Sequence, residues 1–230
     1  MGELINIAVK YRMLLLNGAK ITLIVSVLTI IFGLICGILM AFMKMSKIKI
    51  LKIFANIYVE FIRGTPVLVQ IFLVYYGLPI MGVQVPSIVI GGVDISRIVS
   101  GTLALVINTT AYVCEIVRGG IESIDYGQTE GALALGMKPG RAMLAIVFPQ
   151  AMKNILPSLG NEFITIIKTS SQISVIGIAD LIYTADTIRG ISFKPMEPLI
   201  LVALIYFAIT FIISTLLRHF EKKMKKSYAR

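Results

Sequence analysis

The chain has no tryptophan, one histidine and two cysteines among 230 residues, and only 15% of it is charged. Two cysteines, Cys36 and Cys114, cannot supply the framework of a small disulfide-bonded fold. Both sit in apolar runs and read as small buried hydrophobes. The one histidine, His219, lies beside a basic tail, and there is no H-E-x-x-H helix, no C-x-x-C pair and no G-x-x-x-x-G-K-[ST] phosphate loop. The run Gly136-Met137-Lys138-Pro139-Gly140 is not such a loop. No catalytic residue, no metal ligand and no cofactor of the chain's own is therefore expected, and a membrane-embedded enzyme finds no support. The net charge of +10 invites a nucleic-acid reading. The positive residues, however, cluster where apolar segments end and are not interleaved with aromatics as a base-stacking surface requires.

What the chain has in quantity is hydrocarbon. It is 57% hydrophobic, with a mean hydropathy of +0.89, against about 45–50% apolar residues in soluble domains. Five apolar segments are expected, at 21–43, 53–81, 98–117, 155–183 and 199–217, in one membrane domain covering 1–230. The first contains no charge and spans about 34 Å as a helix. The second is interrupted by Glu60, Arg63 and Gly64-Thr65-Pro66; Pro66 frees the carbonyl of Ile62 and predicts a kink. Helices are required throughout, because an isolated strand cannot satisfy its backbone in lipid. The fold class is an all-α integral membrane protein. A short helix at about 4–16 is expected to lie at the interface before the first span. That span is too long for the core of a cleaved signal, so it reads as retained.

Loop charge sets the expected orientation. Lys44, Lys47, Lys49 and Lys52 lie between the first two segments, and Lys138, Arg141 and Lys153 between the third and fourth. From Arg218 onward six Lys or Arg face one acid. The loop at 82–96 has neither Lys nor Arg. Positive-inside asymmetry places the C-terminal tail, 218–230, in the cytoplasm and the N-terminus outside, against the opposing vote of Lys10, Arg12, Lys20, Arg189 and Lys194.

A polar island at 125–149 stands out from this background. Asp125 followed by Gln128 fits a capping box, Glu130 sits near a helix N-terminus, and Gly136 with Pro139-Gly140 fits a left-handed stop. The helix so bounded is about ten residues long and is unstable alone in water. It needs a groove, either on a partner or on its own bundle. Gly131, Ala132 and Ala134 are small enough for close approach to either.

Several motifs carry a resemblance. Glu130-Gly131-Ala132, Gly136 and Ile146-Val147-Phe148-Pro149 resemble the EAA loop of the permease subunits of bacterial ABC importers. Glu60-Phe61-Ile62-Arg63-Gly64-Thr65-Pro66 with Gln70 resembles the ExxRGTPxLxQ segment of polar amino-acid permeases. Ala111-Tyr112, Glu115, Arg118-Gly119-Gly120-Ile121, Ser123 and Gly127-Gln128 resemble AYxxExxRGGIxSxxxGQ, and Pro149-Gln150-Ala151, Leu156-Pro157, Asn161, Lys168 and Ser171 continue the match. The likeness runs over about 16–217. It implies a type I ABC importer permease of the histidine, glutamine and arginine class in a bacterial cell membrane. It also implies a second permease subunit as homodimer partner, two ATPase subunits that bind ATP and Mg, and an extracytoplasmic amino-acid-binding protein. ATPase coupling is implied for Gln128, Glu130, Gly131, Ala132, Leu135, Gly136 and Pro139. Gly131 departs from the usual Ala, Phe148 from Leu and Thr169 from Asp, and Gln172 stands where an apolar residue is usual.

Polar residues inside spans are the candidate solute contacts. Glu162, Thr165, Thr169 and Gln172 fall on one stripe of a helix, lining a pore or bonding to a neighbouring helix. Glu115, Arg118 and Glu122 form an acid–base–acid ladder, in which Glu115 and Glu122 could also face an inner vestibule. Asn108 lies near mid-span and Thr65 at the break. The slight excess of acids points to a basic amino acid, translocated by alternating access. The competing reading is an ion-coupled secondary amino-acid carrier, which would transport without an ATPase.

Overall fold

The computed structural model describes residues 2–83, 89–90 and 93–227. It is helical apart from a two-residue antiparallel ladder, β1 (Val89–Ile90) with β2 (Val93–Asp94). The helices are α1 (Gly2–Lys10), α2 (Arg12–Lys44), α3 (Lys49–Arg63), α4 (Val67–Ile80), α5 (Ile95–Glu122), α6 (Tyr126–Ala134), α7 (Pro139–Ala142), α8 (Phe148–Thr169), α9 (Leu181–Ser192) and α10 (Glu197–Ser227).

The bundle is organised around α5, which packs on α2, α3, α4 and α8. Two-thirds of its most apolar stretch is buried, against 11% of that of α10. The α2–α5 seam is made of small residues. Gly18, Thr22, Ser26, Thr29, Gly33, Gly37 and Ala41 are the buried face of α2 along with Leu15 and Val25. Larger Ile24, Ile31, Phe32, Ile35, Leu39 and Phe42 face outward, each roughly half exposed. A water-soluble protein would reverse this arrangement. Here backbones approach closely where side chains are small, and the bulky apolar groups are left for lipid. The approach is tight enough that a Cβ on Gly37 would lie 2.5 Å from Val113, and one on Gly33 2.5 Å from Thr109.

The second apolar stretch is two helices, not a gently kinked one. α3 and α4 meet at 110° across Gly64-Thr65-Pro66. Pro66 caps α4 in an extended conformation, and its missing N–H leaves the corner short of donors. The fourth stretch starts earlier than expected. Continuous helix runs over Pro139–Ile176, passing through a π turn at Met143–Val147 and tightening to a 3-10 turn at Ser170–Ile176. Gly177, in the left-handed region at φ 78, ends it, and 181–192 form the separate helix α9. Asp180 caps α9, its carboxylate accepting from the Tyr183 amide at 2.8 Å. α9 seats on the small-residue end of α2, where the Leu181 amide donates to the Thr22 hydroxyl.

Residues 12–16 of the short helix expected at about 4–16 already belong to α2, and what precedes them is α1, ending at Lys10. Its Glu3 pairs with Lys194, in the turn before α10, at 2.8 Å. The ammonium holds the Glu3 carboxyl below the usual carboxylate range.

The seam yields a direct test. Gly37→Leu is expected to destabilise the protein by about 1–3 kcal/mol or more through overpacking. Gly119→Ala, at an exposed helical site where a Cβ meets nothing within 4 Å, is expected to gain about 0.5–1 kcal/mol. Thermal denaturation of the detergent-solubilised protein should separate the two in sign; equal effects would mean the seam is not tight.

Candidate functional site

Helices α4, α5 and α8 enclose a cavity of about 130 Å³. Val67, Leu105, Ile166 and Tyr112 give it apolar and aromatic walls; Asn108, Thr109, Glu162, Thr165 and Thr169 give it polar ones. Among the expected solute contacts, Glu162, Thr165, Thr169 and Asn108 thus share one space. Glu162 forms no ion pair among the described residues. The Thr165 hydroxyl donates to the Asn161 carbonyl at 3.1 Å, so it offers the cavity lone pairs. Lys168, the nearest cation along the helix, lines a different cavity with Ser171, Ile182 and Tyr206.

The remaining four lie elsewhere. Gln172 sits where the helix has tightened to 3-10 geometry, which rotates it off the Glu162–Thr169 stripe. Its side-chain oxygen is buried without a partner. Thr65 stands in the α3–α4 corner, its hydroxyl donating to the Phe61 carbonyl at 2.9 Å. Glu115 is held by three cations: Lys44 of α2 at 2.7 Å, Arg118 at 2.8 Å and Arg63 of α3 at 3.5 Å. Glu122 also pairs with Arg118. Glu115 therefore ties three helices together at their basic end and has no free charge to meet a solute. Sequence spacing gave the Arg118 pairings but not Lys44 or Arg63, which come from other helices. Arg63 also lies over the Tyr112 ring, 5.7 Å from its centroid.

Gln70 joins the corner to the cavity. Its side-chain nitrogen lies 2.7 Å from the Ile62 carbonyl that Pro66 leaves free, 3.1 Å from the Thr65 carbonyl and 2.8 Å from the Thr65 hydroxyl oxygen. Its oxygen accepts from Asn108 Nδ2 at 2.9 Å. Gln70 and Asn108 are 3% and 7% exposed, so water does not compete for these bonds.

The polar island is the short helix α6. Asp125 caps it by accepting from the Gly127 amide at 2.7 Å. The other half of the expected capping box does not form, because Gln128 reaches across to Gln150 of α8 at 3.2 Å. Gly136, at φ 81, closes the helix, with the Gly136 and Met137 amides bonded to the Leu133 and Ala132 carbonyls. This is the paired Schellman arrangement. Of the nine residues only Ala132 is buried. Glu130, Gly131 and Pro139 are exposed, and Leu135, at 86%, and Tyr126, at 72%, present apolar surface.

Comparison with known proteins agrees with this architecture. The model of the family described as "Binding-protein-dependent transport system inner membrane component" matches residues 33–226. The chain is 37% identical over 210 residues to the putative glutamine transport system permease protein GlnP of Rickettsia felis, covering 91% of this chain and 92% of that one. It is 37% identical over 214 residues to the arginine transport system permease protein ArtQ of Bacillus subtilis, covering 93% of each. A crystal structure of an amino acid ABC transporter with histidines is similar at a TM-score of 0.86 and 45% identity, covering 94% of this chain and 96% of that one. The MetNI methionine ABC transporter in an inward-facing conformation shares the fold at a TM-score of 0.68 and 17% identity.

The charge cluster makes a graded prediction. Glu115→Ala strands Lys44, 12% exposed, and removes one of the two partners of Arg118. It should cost about 3 kcal/mol, near the low end for a broken buried pair. Glu122, 56% exposed, should lose less than about 1 kcal/mol on the same change. Denaturation midpoints of the two variants check the order, and a larger loss at Glu122 would contradict it.

Proposed function

The chain belongs to the family of binding-protein-dependent transport system inner membrane components, and on that premise we propose that it carries a basic amino acid into a bacterial cytoplasm. It is a multi-pass membrane permease of the amino-acid ABC importer class, with the type I permease fold. The family works with ATPase subunits and an extracytoplasmic binding protein, so the chain contributes a pathway and not a reaction. Its relatives include permeases named for glutamine and for arginine.

The observation that favours a cationic solute is Glu162. It faces the cavity with no described cation to neutralise it, while Lys168 belongs to another space. A carboxylate in such a place is costly unless an opposite charge joins it. An ammonium or guanidinium does so. The second permease subunit follows from the outer surface of α8. Asn154, Ser158 and Asn161 form one exposed polar stripe, which hydrocarbon cannot solvate. A copy of the same stripe covers it and completes the pathway.

Coupling is assigned to α6. The helix is too short to persist on propensity, and it offers Tyr126, Leu133 and Leu135 to a groove outside this chain. The ATPase subunit supplies that groove on the cytoplasmic side, where the lysines of 44–52 and the tail at 218–230 also lie. Nucleotide binding draws two ATPase subunits together; α6 transmits the motion through Gln128–Gln150 to α8, which carries Glu162 and Thr165. The cavity is thereby exposed alternately to the two sides.

Two experiments test this in proteoliposomes holding the permease, its ATPase subunits and its binding protein. Radiolabelled arginine uptake should exceed glutamine uptake, and Glu162→Gln should lower arginine uptake at least about tenfold, the cost of a lost charge-assisted contact. Equal effects on both solutes would remove Glu162 from the site. The double change Glu130→Lys with Gly136→Leu should abolish solute-stimulated ATP hydrolysis and leave membrane insertion intact. Normal stimulation would refute the coupling role of α6.

A further inference from the structure

Gln70 does not line the cavity, yet the corner it occupies dictates how one cavity residue faces. The reasoning starts at Pro66. Without an N–H it leaves the Ile62 carbonyl unbonded within the backbone, and the amides of Val69 and Gln70 both return to the Pro66 carbonyl. Two carbonyl oxygens, of Ile62 and Thr65, are thus left to side chains, and apart from a long 3.5 Å approach of the Thr65 hydroxyl to Ile62 it is Gln70 that meets them. The Thr65 hydroxyl has already given its proton to the Phe61 carbonyl, so towards Gln70 it too is an acceptor. Three acceptors face the Gln70 amide at 2.7–3.1 Å. Only its nitrogen can meet them, so its oxygen must point the other way.

That oxygen meets Asn108. A carbonyl oxygen only accepts, so Asn108 turns its own nitrogen inward with one N–H on Gln70, and its oxygen lies on the opposite branch of the amide. Turning Asn108 over would set oxygen against oxygen in a place closed to water.

We propose that Gln70, held by the broken corner, fixes the amide of Asn108 so that its oxygen completes a set of acceptors in the cavity, which favours a solute group made only of donors over one that carries an acceptor. Asn108 Oδ1, the Glu162 carboxylate and the Thr165 hydroxyl lone pairs form that acceptor set. Gln70 is a positioning residue, and the inference rests on the cavity being the solute site. A guanidinium carries donors and no acceptor. A urea of the same shape places a carbonyl oxygen where one nitrogen would be, and meets Asn108 oxygen to oxygen. Arginine and citrulline are that pair.

The test is displacement of radiolabelled arginine by citrulline on the purified permease–ATPase complex without binding protein, so that the binding protein's own preference does not enter. The unaltered complex should favour arginine at least about tenfold, the worth of one misdirected buried hydrogen bond. Gln70→Leu frees Asn108 to turn over and should erase most of that preference, chiefly by admitting citrulline. Asn108→Leu leaves the corner intact and should weaken arginine about tenfold while citrulline changes little. A merely structural Gln70 would lower assembly and both affinities together without moving their ratio. An unchanged ratio in Gln70→Leu overturns the inference. If Gln70→Leu does not assemble, full arginine affinity in Asn108→Leu overturns it instead. An unaltered complex that does not discriminate at all would defeat the cationic reading of the cavity itself.

Discussion

Hydrocarbon cannot solvate a polar group, and most of this molecule follows from that constraint. It turns the bundle inside out relative to a water-soluble domain. Small and weakly polar residues make the α2–α5 seam, and Ile31, Phe32, Ile35 and Leu39 face outward. It also explains why irregular backbone occurs only where side chains can repair it. The α3–α4 corner survives at membrane depth because Gln70 answers the carbonyls that Pro66 and the sharp turn leave open. The charges at the basic end obey the same constraint, with Glu115 surrounded by Lys44, Arg63 and Arg118.

The departures from that constraint are the informative places. Glu162 is a carboxylate facing a cavity without a described cation. The exposed polar stripe of α8 has no cover within this chain. The apolar groups of α6 stand in a helix too short to hold itself. On the function proposed, each is an incomplete interface, with a solute, a second permease subunit and an ATPase as the respective complements. A permease is built to be completed by others, and its unsatisfied surfaces mark where.

Much of this was legible in the sequence because the membrane imposes long, uninterrupted apolar runs. α2 and α10 lie over their expected segments for that reason. The stop at Gly136 was legible too, since a left-handed residue is needed there and glycine adopts it freely. Other features depended on contacts between distant residues. Pro66 predicted a bend but not one of 110°, which rests on Gln70 bridging back across the corner. Pro149 and Pro157 both fit inside a continuous helix that starts at Pro139, ahead of the expected start at 155. On the candidate site, the stripe of Glu162, Thr165 and Thr169 was visible as helical spacing. Gln172 shared that spacing only while the helix was taken as α throughout. The partners of Glu115 on α2 and α3, and the reach of Gln128 to Gln150, could not be read from local pattern.

The central claim is that the polar face of α8 meets a second permease subunit and not lipid. Spin labels at Asn161 and Ile31, with Cys36 and Cys114 replaced, report this through oxygen accessibility in the assembled complex in bilayers. Oxygen dissolves in the hydrocarbon, so a lipid-facing label relaxes fast. Low accessibility at position 161 beside high accessibility at position 31 is the predicted result; equally high accessibility at both would contradict the claim.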